Sequence, residues 1–147
     1  MTKNLAINIE WDDNSTAIID KPSVVHLDRL LVHRGFAKLT ISLAGSRYNL
    51  SLNLLEFLSS LTRFLRDANC NQLSIQLIVS GETIYFERDS GEVILEFFDY
   101  LKRERRKLRL SNSEALALHQ SLRIAIIGFV EKSFGKSISY DTDAIQL

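Results

Sequence analysis

Strict alternation of apolar and polar residues over short segments is the feature that most constrains this fold. Leu39, Ile41 and Leu43 alternate with polar residues, and the segments 5–11 and 73–79 follow the same period of two. Because successive side chains of a strand point to opposite faces, each segment predicts a strand with one buried face. We therefore expect an antiparallel sheet that covers its core on one side.

Turn residues divide these segments into a hairpin and a meander. The hairpin joins residues 37–43 to residues 48–52 through the turn Ala44-Gly45-Ser46-Arg47. The meander contains three alternating segments, 73–79, 83–87 and 93–97, with Gly81 and Gly91 in the turns between them. Glycine-containing turns of this length between alternating segments are typical of antiparallel neighbours.

Two other segments have the period of an α-helix. Apolar residues recur at helical spacing from Leu54 to Leu65, and Asn53 with Glu56 three residues later has the form of a capping box. Ser111 and Glu114 repeat that form before a long apolar face that ends near Gly135. The charged run between the meander and this helix, residues 102–109, is also expected to be helical, with its charges on a solvated face.

These elements predict one α+β domain over residues 1–147. Its expected architecture is a single antiparallel sheet, formed by the hairpin and the three-stranded meander, with helices packed on one side. The segment Val24–His33 leaves both helix and strand open, and its β-branched start favours a strand. Hydrophobic residues make up 46% of the 147 positions, which is enough for a core without metals or disulfides.

Composition excludes several classes of function. The 18 basic and 18 acidic side chains cancel, so the chain has no overall field of either sign. Its one cysteine, Cys70, excludes a disulfide framework and a cysteine-rich zinc site. No secretory signal pattern and no apolar stretch of membrane-spanning length occurs, so we expect a cytoplasmic protein.

Compact catalytic motifs are absent from the sequence. It contains no glycine-rich phosphate loop, no H-E-x-x-H, no G-x-S-x-G and no calcium-binding loop. His26 and Asp28 would share a face of a strand, but no motif places a nucleophile beside them. Cys70 follows a helix C-terminus, where the helix dipole disfavours a thiolate. We therefore predict no enzymatic activity, no cofactor and no metal site.

Two charged regions remain as candidate contact surfaces. The run 102–109 holds six cationic side chains and one glutamate and could contact phosphates, although no aromatic residue is interleaved within it. Acidic residues beside aromatic ones suit a protein interface instead. The predicted partner-binding residues are Glu10, Trp11, Asp12, Asp13, Tyr140, Asp141 and Asp143.

The layout of residues 36–98 resembles a known class of binding proteins. A hairpin leads into the leucine-rich helix 54–61, and the alternating segment 82–93 follows through a glycine turn. This arrangement resembles the small cytoplasmic immunity proteins of bacterial polymorphic-toxin and contact-dependent growth inhibition systems. The resemblance implies a protein without catalysis of its own that binds a cognate toxin domain, usually a nuclease, and blocks it. The alternatives are a secretion chaperone or adaptor and a nucleic-acid-binding protein that uses the run 102–109.

Overall fold

The computed structural model describes residues 5–12, 24–25, 35–77, 80–134, 139–140 and 145–147. These residues form strands and two helices in an α+β arrangement, which confirms the predicted fold class. In chain order the elements are β1 (Leu5–Trp11), β2 (Val24–Val25), β3 (Phe36–Leu43), β4 (Ser46–Asn53), α1 (Leu54–Arg66), β5 (Gln72–Gln76), β6 (Thr83–Asp89), β7 (Glu92–Asp99), β8 (Glu104–Leu110), α2 (Asn112–Phe134) and β9 (Ser139–Tyr140).

The first sheet has three antiparallel strands in the order β1-β3-β4. Its register aligns apolar residues across the strands: Ile9 lies opposite Leu39, which lies opposite Leu50. Leu39 and Leu50 are buried and Ile9 is half-buried, so this face of the sheet covers the core. The alternation in the sequence therefore predicted both the hairpin and its buried face.

The second sheet has four antiparallel strands in the order β5-β6-β7-β8. A row of apolar residues crosses it: Leu73, Phe86, Leu95 and Leu108 are direct neighbours in the register. The first three strands are the predicted meander. The predicted single sheet is wrong, because the hairpin strands and the meander strands belong to different sheets.

Both helices pack against the apolar faces of the sheets, with α1 and α2 also in contact with each other. The rings of Phe57 and Phe64 on α1 lie 6.0 and 5.6 Å from that of Phe86, which joins the helix to the second sheet. Burial of such large aromatic side chains contributes strongly to stability.

The helix starts agree with the predicted capping residues. The side chain of Asn53 accepts a hydrogen bond from the Glu56 backbone N–H at 3.0 Å and caps α1. Before α2, the Ser111 hydroxyl accepts from the Glu114 N–H at 3.2 Å, and the Glu114 carboxylate accepts from the Ser111 N–H at 2.8 Å. This second pair is a complete capping box, which satisfies donors that the helix itself leaves unpaired.

A buried carboxylate joins the two sheets where the hairpin meets the end of β7. Asp99 has no exposed surface and accepts from the backbone N–H of Asn49 on β4 at 3.0 Å and from its side-chain amide. Two further backbone donors, Leu101 and Lys102, bind it at 3.0 and 2.9 Å, and the Arg106 guanidinium binds it at 3.1 Å. The sheets therefore meet through these side-chain bonds and one backbone bond, from the Tyr100 N–H to the Asn49 carbonyl at 3.3 Å, and not through a continuous backbone ladder. An alternation pattern does not distinguish one sheet from two for this reason.

The run 102–109 is not helical, contrary to the prediction. Residues 104–110 form β8, an edge strand of the second sheet. Arg106, Leu108 and Leu110 point toward the core side, while Arg105, Lys107 and Arg109 point outward. The charged residue Arg106 occupies an inward position of β8. The sequence of this strand therefore does not alternate regularly between apolar and polar residues.

An arginine from the second sheet completes the C-terminal end of α1. The Arg88 guanidinium on β6 donates to the carbonyl oxygens of Phe64, Asp67 and Cys70, at 2.9 Å for Phe64 and 2.8 Å for Asp67. It also lies 4.5 Å from the center of the Phe64 ring. The last carbonyls of a helix have no partner within the helix, and a cation also matches the negative end of its dipole.

The strands β2 and β9 pair in parallel, with Val24 aligned with Ser139. The predicted strand at Val24–His33 is therefore seen at its first two residues, and residues 26–34 lie outside the described part of the chain. Among the described residues, neither helix combines the length and the apolar composition needed to cross a bilayer.

Candidate interaction surface

The second sheet directs one face toward the helices and the other away from them. Across the outward face, the register aligns Ser74, Tyr85, Glu96 and Lys107 in one row. The neighbouring row contains Gln72, Glu87, Ile94 and Arg109. We call the outward-facing side chains of β5–β8 the open sheet face.

A groove of about 510 Å³ lies on the open sheet face. Ile94 lies in its floor and is only 7% exposed although it points away from the helices, whereas the neighbouring Tyr85 is 46% exposed. The outward-facing residues that line the groove include Ser74, Tyr85, Glu87, Ile94, Glu96 and Lys107. An exposed tyrosine among side chains of both charges suits a protein interface.

Ion pairs balance the charges around this groove. Arg105 binds Glu96 at 3.3 Å, and its guanidinium lies 5.4 Å from the center of the Tyr85 ring. Arg109 binds Glu92 at 2.9 Å and Asp89 at 3.4 Å. The acidic residues of the turn between β6 and β7 are therefore matched by Arg109 of β8, and Glu96 is matched by Arg105.

Glu87 differs from Asp89, Glu92 and Glu96, which form ion pairs. It is half-buried on the open sheet face, and no ion pair joins it to another described residue. At the edge of the same surface, burial raises the pKa of the Glu82 carboxyl, and the positive charge of Arg105 offsets part of that rise. Glu87 is thus a carboxylate that can meet a cation supplied by a partner.

The cationic side chains of the run 102–109 are distributed between the two faces of β8 and the turn before it. Arg106 points inward, where it binds Asp99 and lies 4.2 Å from the center of the Tyr48 ring. Lys102 and Arg103 lie in the turn before the strand, and within the described chain they have no acidic partner. The six cations are therefore not gathered on one surface, which weakens the case for a phosphate-binding strip.

The structure describes part of the predicted partner-binding set. Glu10 and Asp12 are exposed at the end of β1, and the half-buried Trp11 ring between them stacks on Phe129 of α2 with 4.4 Å between ring centers. Tyr140 belongs to β9, whose backbone alone is described. Asp13, Asp141 and Asp143 lie outside the described residues, so the structure brings together only Glu10, Trp11 and Asp12.

His119 is buried and participates in a structural hydrogen bond. Its Nε2 lies 2.7 Å from the Thr62 hydroxyl, which itself donates to the Leu58 carbonyl at 2.7 Å. Because a hydroxyl has one hydrogen, the histidine Nε2 carries a proton and donates to Thr62. Burial lowers the pKa of His119, and the positive charges of Arg123 and Arg66 lower it further, so the ring is neutral. His26 and His33 lie outside the described residues.

Cys70 is a half-buried thiol whose Sγ donates to the Gln72 carbonyl at 3.3 Å. Within the described chain, no group of three or more histidine, cysteine and acidic side chains is placed to hold a metal ion.

Sequence reasoning missed the open sheet face. Its residues are the polar positions of three alternating segments and of β8, and alternation shows only that they point away from the core. The signal that could have identified them is the pair of apolar residues, Tyr85 and Ile94, at positions that the alternation assigns to solvent. Comparisons of this chain with protein-family models, curated proteins and solved structures give no significant match.

Proposed function

We propose that this protein acts by stoichiometric binding of another protein, as an immunity protein that neutralises a cognate bacterial toxin domain. The observation that carries this proposal is the open sheet face, where the exposed Tyr85 lines a groove together with side chains of both charges. Tyrosine and arginine are the residues on which binding energy at protein interfaces concentrates. The layout of residues 36–98, which resembles immunity proteins, supplies the class of partner.

A nuclease is the toxin activity that we expect. A nuclease cleft that accepts a phosphate backbone is basic, and an inhibitor can occupy it with carboxylates placed beside aromatic rings. On the open sheet face Glu87 and Tyr85 offer this combination on one face of β6. At the end of β1 the exposed Glu10 and Asp12 offer two carboxylates, on the strand face opposite the Trp11 ring that stacks on Phe129. These are two candidate contact surfaces for the same function.

The test uses four tagged baits in lysate of the source organism: the wild type, Tyr85→Ala, the double variant Glu10→Ala/Asp12→Ala, and Leu116→Ala. Leu116 is 42% exposed on α2, so its truncation is a matched control for the loss of an exposed apolar side chain. We expect the wild type and Leu116→Ala to recover one stoichiometric protein that is toxic when expressed alone and harmless when co-expressed. Truncating a central tyrosine costs about 2 kcal/mol or more in such interfaces, which is roughly 30-fold in the dissociation constant.

The outcomes separate the alternatives. Loss of the partner with Tyr85→Ala supports the open sheet face, and loss with the double variant assigns the contact to the end of β1. Recovery of nucleic acid that disappears at higher salt contradicts the proposal, because counterion release makes phosphate binding strongly salt-dependent. A partner that is not toxic contradicts the immunity function and leaves a chaperone or adaptor.

A further inference from the structure

The two edges of the second sheet differ in charge. Within the described residues, β5 forms one edge and β8 the other. The sequence of β5 is QLSIQ, without a charged side chain, whereas that of β8 is ERRKLRL. Charged side chains on an edge strand oppose pairing with another strand, and an uncharged edge leaves its backbone groups available.

The backbone of β5 has a defined hydrogen-bonding phase. The Arg88 N–H donates to the Asn71 carbonyl at 2.8 Å, and the Leu77 N–H donates to the Glu82 carbonyl at 2.7 Å. In an antiparallel ladder every second residue bonds to the same neighbour. Residues 71, 73, 75 and 77 therefore bond to β6, and Gln72, Ser74 and Gln76 direct their backbone N–H and C=O groups away from the sheet. One of these groups, the Gln72 carbonyl, also accepts from the Cys70 Sγ at 3.3 Å and keeps a second lone pair for a partner strand.

The side chains of β5 are symmetric about Ser74. Reading from Ser74 in either direction gives one aliphatic residue and then a glutamine. In an antiparallel pair with a two-fold axis at Ser74, Ser74 lies opposite its own copy, Gln72 lies opposite Gln76, and Leu73 lies opposite Ile75. The outward backbone groups of 72, 74 and 76 then meet in hydrogen-bonded pairs, and Leu73, which is half-buried in one copy, gains an apolar neighbour.

We propose that a second copy of this chain pairs with β5 in this register and joins the two four-stranded sheets into one continuous sheet. The same operation at β8 would place Lys107 opposite itself and Arg105 opposite Arg109, and like charges directly opposite each other are destabilising. The dimer would also place two open sheet faces side by side, because Ser74 lies at the edge of the groove. This inference is independent of the identity of any other partner.

We expect a weak dimer. A contact through two five-residue strands is smaller than the roughly 1,200–2,000 Å² that stable interfaces bury. Sedimentation of the wild type over a concentration series up to about 1 mM should therefore show a reversible monomer–dimer equilibrium of low affinity.

Cross-linking tests the register. In a Cys70→Ala background, Ser74→Cys places two thiols in a hydrogen-bonded antiparallel pair, where Cα atoms lie about 5.5 Å apart and within reach of a disulfide. The matched control is Lys107→Cys in the same background, at the center of the opposite edge and also exposed. We expect Ser74→Cys to form a covalent dimer under mild oxidation at least about tenfold faster than the control.

A charge at the two-fold axis tests the same pairing without a covalent bond. Ser74 is exposed, so Ser74→Lys leaves the monomer fold intact, which circular dichroism checks. Two ammonium groups would face each other across the axis, and we expect the dissociation constant to rise about tenfold. A wild type that sediments as a monomer at every concentration overturns the proposal, as does a dimer that Ser74→Lys does not weaken or equal cross-linking at position 107.

Discussion

Among the described residues, two buried polar junctions connect elements of this fold, and they differ in charge. Asp99 joins the two sheets as an ionised carboxylate, whereas the Thr62–His119 pair joins α1 to α2 through a neutral ring. Burial acts on both groups in the same sense, since it disfavours the charged form of each. The contacts around each group determine which form exists.

The number of hydrogen-bond donors around each group explains why Asp99 is charged and His119 is neutral. Burial raises the pKa of Asp99, but the N–H groups of Lys102 and Asn49 and the side chains of Arg106 and Asn49 outweigh that effect, so its net pKa lies below the ordinary value of 3.8. Within the described residues nothing comparable stabilises the charged form of His119, because burial lowers the pKa of its ring and the positive charges of Arg123 and Arg66 lower it further. At Asp99 a buried charge persists because donors surround it on several sides.

The largest expected effect comes from removing the charge of the sheet junction. In Asp99→Asn the side-chain NH₂ group would face N–H donors that bind a carboxylate oxygen in the wild type. Arg106 would also lose the negative charge with which it pairs. Breaking a buried, hydrogen-bonded ion pair from one side costs about 3–5 kcal/mol, and we expect urea unfolding to show a loss of this size. The matched control is Asp89→Asn, since Asp89 is about half exposed in its pair with Arg109 and its loss should leave the midpoint nearly unchanged. Equal effects of the two substitutions would contradict the assignment of Asp99 as a junction.

A smaller effect is expected at the helix junction. Thr62→Val keeps the shape of the side chain but removes the oxygen that accepts from His119. A buried donor left without an acceptor costs about 1–3 kcal/mol, measurable by the same urea unfolding. Thr62→Ser is the control, because it retains the hydroxyl. If the valine variant is as stable as the wild type, the histidine has another acceptor and the comparison between the two junctions fails.

The two junctions should lose their contributions to stability at different pH values. Because the folded pKa of His119 lies below its ordinary value of 6.5, its contribution to stability is complete above pH 6.5 and is lost as the pH falls through the folded pKa. The contribution of Asp99 is complete above 3.8 and is lost at still lower pH, again because the folded pKa is the lower one. The wild type should therefore lose stability in two separate windows as the medium is acidified.

The measurement is the free energy of unfolding between pH 7 and pH 5 for the wild type and for His119→Gln. Glutamine retains a side-chain N–H for Thr62 but does not titrate, so the variant should show a shallower slope. One proton accounts for at most about 1.4 kcal/mol per pH unit, which bounds the difference. Identical slopes would show that the wild-type decline arises elsewhere.

Local patterns in the sequence predicted the elements that depend on neighbouring residues. The alternation around Leu39 and that around Leu73 gave strands with the correct buried faces, and Ser111 with Glu114 gave a capping box that the structure contains. These features depend on side-chain direction and on contacts three residues apart, which a sequence displays directly.

The misses depend on contacts between distant residues. Asn49 and Asp99 are 50 residues apart, and Thr62 and His119 are 57 apart, so nothing local indicates either junction. The sequence of β8 does not predict a strand, because Arg106 is an inward residue that owes its position to Asp99. The open sheet face was missed for the same reason, since it exists only once Tyr85 and Ile94 lie on neighbouring strands.

The contact of Arg88 with the end of α1 has a consequence for the order of folding. The carbonyls of the last helical turn are completed by a residue of β6, which follows them in the chain. A short helix on its own is marginal in water, and its end frays. The final turn of α1 therefore cannot gain its full protection from hydrogen exchange before β6 has docked, which makes the helix end and the β5–β6 hairpin one cooperative unit.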